Sequence, residues 1–235
     1  MMETNVNLLC AGAAQGLVTQ LAQRLASELS LRTQGRFGAV GAMQEAFDGN
    51  EPCDVFVSTQ AMVDQMVADG RLLTSGWAPL GKVRTGVAVR RGDTRPDVAT
   101  AATLTQALSS ADAVYFPDPL RATAGIHFAK VMRALNLFDT LQPRFHTYPN
   151  GATAMRELAA STSPHPIGCT QVTEILYTPG VELVAVLPPE FELATTYTAA
   201  VSSRAQNPDA AARLIAWLSG PSTLTARTQC GFEMA

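Results

Sequence analysis

Val83-Arg-Thr-Gly-Val-Ala-Val-Arg90 crowds valine, glycine and alanine into eight residues and stops at the charged turn Arg91-Gly-Asp-Thr-Arg-Pro96. An apolar run of that length, closed by turn residues, reads as a buried strand. Tyr197-Thr-Ala-Ala-Val-Ser202 reads the same way. The two strands, near residues 83–90 and 194–202, bracket a block of about 110 residues, close to the size of one domain. This predicts an α/β chain in two lobes. Residues 1–82 and 195–235 form a discontinuous first lobe, 83–194 form the second, and the two bracketing strands serve as the hinge. Periodicity alone also permits one doubly wound sheet.

Working outward, strands and helices alternate on both sides of the bracket. Val6–Cys10 is a short apolar run ending at Ala11-Gly-Ala-Ala14, and Leu17, Leu21, Leu25 and Leu29 then recur every four residues on one helical face. Arg36–Gly41 is a glycine-bearing strand end, Met43–Phe47 a short helix and Cys53–Val57 a strand, with Met62, Met66 and Leu72 marking the helix after it. Within the block, Thr103–Leu108 predicts a helix and Ala113–Phe116 a strand. Pro117-Asp118-Pro119 precedes a long helix carrying Ile126, Phe128, Val131, Met132, Leu135 and Leu137. Phe145–Tyr148, Pro166–Gln171 and Val181–Leu187 predict further strands, and Met155 with Leu158 mark the helix after Asn150-Gly151. The terminal helix covers Asp209–Leu218. Strand–helix alternation of this kind belongs to mostly parallel sheets flanked by helices.

Composition excludes several classes. A net charge of −3 argues against the basic surface that nucleic acid requires. No stretch reaches the roughly 20 apolar residues of a membrane span, so no membrane insertion is expected. Cys10, Cys53, Cys169 and Cys230 are scattered without metal spacing and read as buried thiols. No metal and no cofactor are expected. The opening Met1-Met-Glu-Thr-Asn-Val-Asn-Leu-Leu-Cys10 lacks the pattern of a secretory signal. The expected location is therefore periplasmic where a signal peptide has been removed, and cytoplasmic otherwise.

Four stretches, in their order and spacing, resemble the molybdate-binding branch of the type II periplasmic binding proteins. They are Cys53-Asp-Val-Phe-Val-Ser-Thr59; Gly86-Val-Ala-Val-Arg-Arg-Gly-Asp93 with Arg95-Pro-Asp-Val98; Asp118-Pro119 with Ala124-Gly-Ile-His-Phe-Ala-Lys130; and Ile167-Gly-Cys-Thr-Gln-Val-Thr-Glu-Ile175. The terminal helix with Gly231-Phe232 is similar too. The resemblance implies a two-lobed α/β receptor that closes over a small anion and serves the membrane component of an ABC-type importer. In such receptors serine hydroxyls of the first two loops and a tyrosine of the other lobe hold the oxyanion. Those positions fall here on Ala13, on Val40 or Gly41, and on Gln171. With the hydroxyls gone, the expected ligand is an organic carboxylate rather than molybdate. The Ile167-Gly168-x-Thr170-Gln171-x-x-Glu174 pattern resembles a sub-branch that includes aconitate isomerases, so an isomerase moving a double bond in a small tricarboxylate is the alternative. A cytoplasmic ligand sensor is a third possibility.

Loops that turn a strand into a helix offer free backbone N–H groups and a partial positive charge. Gly12, Ala13, Ala14, Val40, Gly41, Thr123, Ala124, Gly125, Asn150 and Gly151 are candidate ligand contacts on that ground, each set against a plain turn. Arg121 offers a guanidinium suited to carboxylates. Arg84 faces the ligand or pairs with an acid. Ser58 and Thr59 donate hydroxyls or cap the next helix. Thr170 and Gln171 end a strand where they meet either a ligand or the backbone. Glu174 reads as helix N-terminal stabilisation. Of the three histidines, only His127 lies beside a predicted ligand loop and is the candidate base for proton transfer.

Overall fold

The structure is a computed structural model and describes residues 3–234; Met1, Met2 and Ala235, at the ends of the expected first lobe, lie outside the described residues. The chain divides into two compact units, one running up to Val83 and again from Thr195 onward, the other spanning Arg84–Ala194.

In the first unit β1 (Thr4–Ala11) leads through the 3-10 turn Gly12–Ala14 into α1 (Gln15–Leu29). The leucine spacing has the consequence it should: Leu17, Leu21 and Leu25 are buried, each contributing about 1.5–3 kcal/mol of apolar burial. Next come β2 (Leu31–Gly38), α2 (Val40–Asp48), β3 (Val55–Thr59) and α3 (Gln60–Ala68). β1 pairs in parallel with both β2 and β3. β4 (Leu72–Arg90) then carries the chain from the first unit into the second.

The second unit continues with α4 (Ala101–Ser110), β5 (Ala113–Pro117), α5 (Thr123–Ala134), α6 (Phe138–Leu141), β6 (Phe145–Tyr148), α7 (Gly151–Ala159), β7 (Pro166–Gln171), α8 (Val172–Tyr177) and β8 (Val181–Val186). Its strand order is β4-β7-β5-β6, with β8 also on β4. β5, β6 and β7 run parallel, while β4 is antiparallel to β7 and β8. The chain returns through β9 (Ala194–Ser202), antiparallel to β3, and ends in α9 (Pro208–Ser219) and α10 (Leu224–Gln229). One core of the first unit packs α1 and α9 against β1 and β9 around Leu17, Leu21, Leu214 and Phe232. In the second unit Phe116, Phe128, Val131 and Met132 fill the corresponding place.

Three sequence expectations are corrected. Leu72 belongs to β4, not to the helix before it, because α3 closes in a turn where the Arg71 N–H donates to the Met66 carbonyl. The strand expected over 83–90 accordingly starts eleven residues earlier, at Leu72. Leu135 and Leu137 lie beyond α5, which ends at Ala134: Asn136 sits at φ 56°, and the Leu137 N–H reaches back to the Met132 carbonyl at 2.8 Å, the closure of a Schellman turn. The expected strand end at Arg36–Gly41 also divides, with Val40 and Gly41 opening α2.

Candidate functional site

Parallel strands place their carboxyl ends on one edge of a sheet, where ligands of α/β proteins are received. In the first unit Ala11 of β1 stands opposite Gly38 of β2, and Cys10 opposite Val57 of β3. The loops carrying Gly12, Ala13 and Ala14, Val40 and Gly41, and Ser58 and Thr59 therefore emerge along one edge. α1 and α2 start on the alanines Ala14 and Ala39, with no side-chain cap. The first hydrogen bond of α2 runs from Met43 N–H to the Ala39 carbonyl, so the amides of Val40, Gly41 and Ala42 have no partner within the helix. Thr59, by contrast, caps α3 by accepting from the Met62 N–H at 3.3 Å. Ser58 is fully buried and its Oγ has no hydrogen-bond partner among the described residues. Its cross-strand neighbour Thr198 donates to Gln60 Oε1 at 2.5 Å.

The second unit repeats the arrangement. Pro117 at the end of β5 lies opposite Tyr148 at the end of β6, and β7 runs parallel beside β5 to end at Gln171. Arg121 and Thr123–Gly125, Asn150 and Gly151, and Thr170 and Gln171 thus share one edge. Arg84 lies there as well, because β4 enters the sheet with Thr85 opposite Gln171. His127 is one turn further along α5, where its Nε2 lies 2.7 Å from the Phe191 carbonyl. A carbonyl only accepts, so this contact places the imidazole proton on Nε2 and leaves Nδ1 as the ring's basic atom. Arg84 donates to Glu192 at 2.8 Å, an ion pair about one-third exposed.

The helix starts on this edge differ in what they have left to offer. α7 is spent. Asn150 Oδ1 accepts from the Thr153 N–H at 2.8 Å. Glu174, expected to stabilise a helix N-terminus, does so at its own helix, where Gln171 is the N-cap of α8, and also seats its carboxylate at the start of α7. There it accepts from the Thr170 hydroxyl at 2.6 Å and from the backbone N–H groups of Ala152, Gln171 and Gly151. Burial is the larger influence and raises its carboxyl above the ordinary range, against these four donors. Gly151 is there because a Cβ would overlap Glu174 Oε2 and Thr170 Oγ1. So the Gly151 amide and the Thr170 hydroxyl, both candidate ligand contacts, are partnered inside the chain.

α5 is open. Its N-cap is Ala122 without a side-chain bond, and its first hydrogen bond runs from Ile126 N–H to the Ala122 carbonyl. The amides of Thr123, Ala124 and Gly125 have no partner within the helix. Gly125 also has a packing reason, since a Cβ would strike the Pro117 and Asp118 carbonyl oxygens. In the turn before α5, Asp118 Oδ1 accepts from the Leu120 and Arg121 amides. Beside this start Gln171 is 2% exposed, and both its Nε2 and Oε1 lack partners among the described residues. Thr85, across from it, was missed by sequence reasoning. The available signal was a polar residue inside the otherwise apolar run that follows Arg84.

A pocket of about 810 Å³ in this unit is lined by Asp93, Asp97, Gln106, His165 and Pro166 among others. It lies at the amino end of β7, opposite the edge just described. Among the described residues no group of three or more His, Cys, Asp or Glu is placed to hold a metal ion, and no helix is long and apolar enough to cross a membrane.

Two α/β units, each with helix starts along one edge of its own strands, give the fold of the type II periplasmic binding proteins. The chain belongs to the bacterial extracellular solute-binding protein family, which matches residues 6–233. A periplasmic molybdate-binding protein of Azotobacter vinelandii is 16% identical with a TM-score of 0.81, covering 98% of this chain and 99% of that one. A sulfate-binding protein of Mycobacterium tuberculosis is 15% identical with a TM-score of 0.73, covering 99% and 88%. In sequence, an aconitate isomerase of a Pseudomonas species is 26% identical over 188 residues, 78% of this chain and 68% of the relative.

Proposed function

We propose that this chain is a solute-binding protein that takes a small organic carboxylate in the periplasm and presents it to the membrane component of an ABC-type importer. The observation that carries the reading is the Gln171 carboxamide, buried with neither polar atom paired at the end of β7, beside the uncapped start of α5. Burying an amide without partners costs about 1–3 kcal/mol, which a ligand at that position removes. The other contacts under this reading are Gly12, Ala13, Ala14, Val40, Gly41, Ser58 and Thr59 in the first unit. In the second they are Arg84, Arg121, Thr123, Ala124, Gly125 and Asn150. Ala13, Val40 and Gly41 carry no hydroxyl, which supports a carboxylate received by backbone amides over a tetrahedral oxyanion received by serines. The similarity to an aconitate isomerase supports the same chemical class.

A thermal-shift screen with molybdate, tungstate, sulfate, phosphate, citrate and both aconitates tests it. A ligand at 100 times its Kd adds about 2.7 kcal/mol of stability. A shift with the tricarboxylates is expected; a shift with molybdate or tungstate alone overturns the reading.

The 26% similarity favours one second reading, an isomerase that removes a carbon-bound proton from the same ligand and returns one at the other end of the allyl system. His127 Nδ1 is the candidate base. Deuterium entering bound aconitate in heavy water supports catalysis, and binding without exchange overturns it.

A further inference from the structure

We propose that Thr85 is a ligand-recognition residue that works as a pair with Gln171 and reads one carboxylate group of the ligand. The identity of that ligand rests on the carboxylate reading above.

Thr85 is 1% exposed and its Oγ1 has no hydrogen-bond partner among the described residues. Its backbone N–H donates to the Leu193 carbonyl at 3.1 Å and its carbonyl accepts from the Leu187 N–H at 3.1 Å. Both bonds point away from β7. Against Gln171, its antiparallel partner, Thr85 therefore forms a non-hydrogen-bonded pair. That is the pair type whose side chains stand closest, about 4.5 Å between Cα atoms, on one face of the sheet. Thr170, one residue earlier in β7, points the other way and is used by Glu174.

Two buried polar side chains thus stand side by side, and neither is bonded to the other or to any other group among the described residues. Valine has the shape of threonine, and Val83 and Val87 occupy the same face of β4 at full burial. A strand that needed only packing would be served by valine at position 85. The hydroxyl is a stability cost retained for something outside the chain. One hydroxyl hydrogen and one amide hydrogen on neighbouring strands match the two oxygens of a carboxylate. Both donors are uncharged, so the pair selects by geometry rather than by net charge.

The test compares wild type, Thr85→Val, Thr85→Ser and Gln171→Leu. It measures the melting temperature of the ligand-free protein and the Kd for citrate, cis-aconitate, trans-aconitate and molybdate by calorimetry. Thr85→Val is expected to raise the ligand-free melting temperature by about 2 °C or more, because it deletes an unmet buried hydroxyl. It should weaken carboxylate binding about tenfold or more, with Thr85→Ser restoring most of the affinity and Gln171→Leu reproducing the loss. A lower ligand-free melting temperature for Thr85→Val, or a carboxylate Kd within twofold of wild type, overturns the proposal while leaving the carboxylate reading intact. Wild type that binds molybdate alone overturns the carboxylate reading, and Thr85 is then judged on the molybdate Kd by the same tenfold criterion. Wild type that binds none of the four overturns both.

Discussion

A Cβ on Gly151 would come far inside the 3.0 Å that real Cβ atoms keep from their neighbours, against both Glu174 Oε2 and Thr170 Oγ1. Gly151→Ala must therefore push apart two buried side chains joined by a 2.6 Å hydrogen bond. Overpacking of a well-filled interior costs about 1–3 kcal/mol. The lost bond to a carboxylate adds about 1.5–3 kcal/mol. Alanine in place of glycine within a helix returns about 0.5–1 kcal/mol. The net expectation is a loss of about 2–5 kcal/mol. In a chain of this size that is a drop of about 5–15 °C in melting temperature, read by circular dichroism. The diagnostic step is to repeat the substitution where Thr170 and Glu174 are both alanine. With nothing left to strike, Gly151→Ala should become neutral or stabilising, and the cycle should report a coupling of about 2 kcal/mol or more. A Gly151→Ala protein that melts within about 1 °C of wild type, or an equal cost in the two backgrounds, refutes the seat drawn for Glu174.

Asp54 is fully buried and accepts from Asn7 N–H and Nδ2 and from the amides of Gln206 and Asn207, so Asp54→Ala leaves four donors unmet. Its unfolding free energy in urea should fall by about 3–5 kcal/mol. Burial raises the Glu174 carboxyl, so the folded state holds that proton to a higher pH than the unfolded state does. The stability tied to this group is complete below the unfolded carboxyl range and is lost as pH rises through the folded pKa. Glu174→Gln should remove that component, making its stability flatter than wild type across the same window in paired pH-melting curves. The thiols of Cys10, Cys53 and Cys169 are buried and pushed up, Cys53 to about 12, while Cys230 is half-buried. Iodoacetamide on the native protein at pH 8 should label Cys230 before the other three, as read by peptide mass spectrometry.

The alternation of strand and helix was legible because each apolar run is short and each helix has a one-sided stripe, as with Leu17, Leu21 and Leu25. Boundaries were less so. Nothing local marks Leu72 as a strand residue, because its place depends on α3 having already closed at Arg71. The strand-to-helix loops could be found from proline, glycine and small residues, which is why the two edges could be listed by number. Which of those loops still has donors to give was not legible. That depends on Glu174 reaching Gly151, a contact 23 positions apart with no periodic signature. Thr85 was hidden for a related reason: a lone polar residue in an apolar run acquires meaning only once its neighbour across the sheet is known.

The seat of Glu174 also makes the chain its own reference compound for carboxylate chemistry. A hydroxyl and three peptide groups hold a fully buried carboxylate without any arginine or lysine. Tethering makes this acid effectively concentrated far beyond any free acid, so the seat is closed to solutes while Glu174 is present. Cut back to alanine, it becomes a small vacant dock for a one-carboxyl guest. Acetate or formate at high concentration should then recover part of the lost melting temperature in Glu174→Ala and leave wild type unmoved. The size of that recovery would measure what neutral donors alone are worth to a bound acid in this fold.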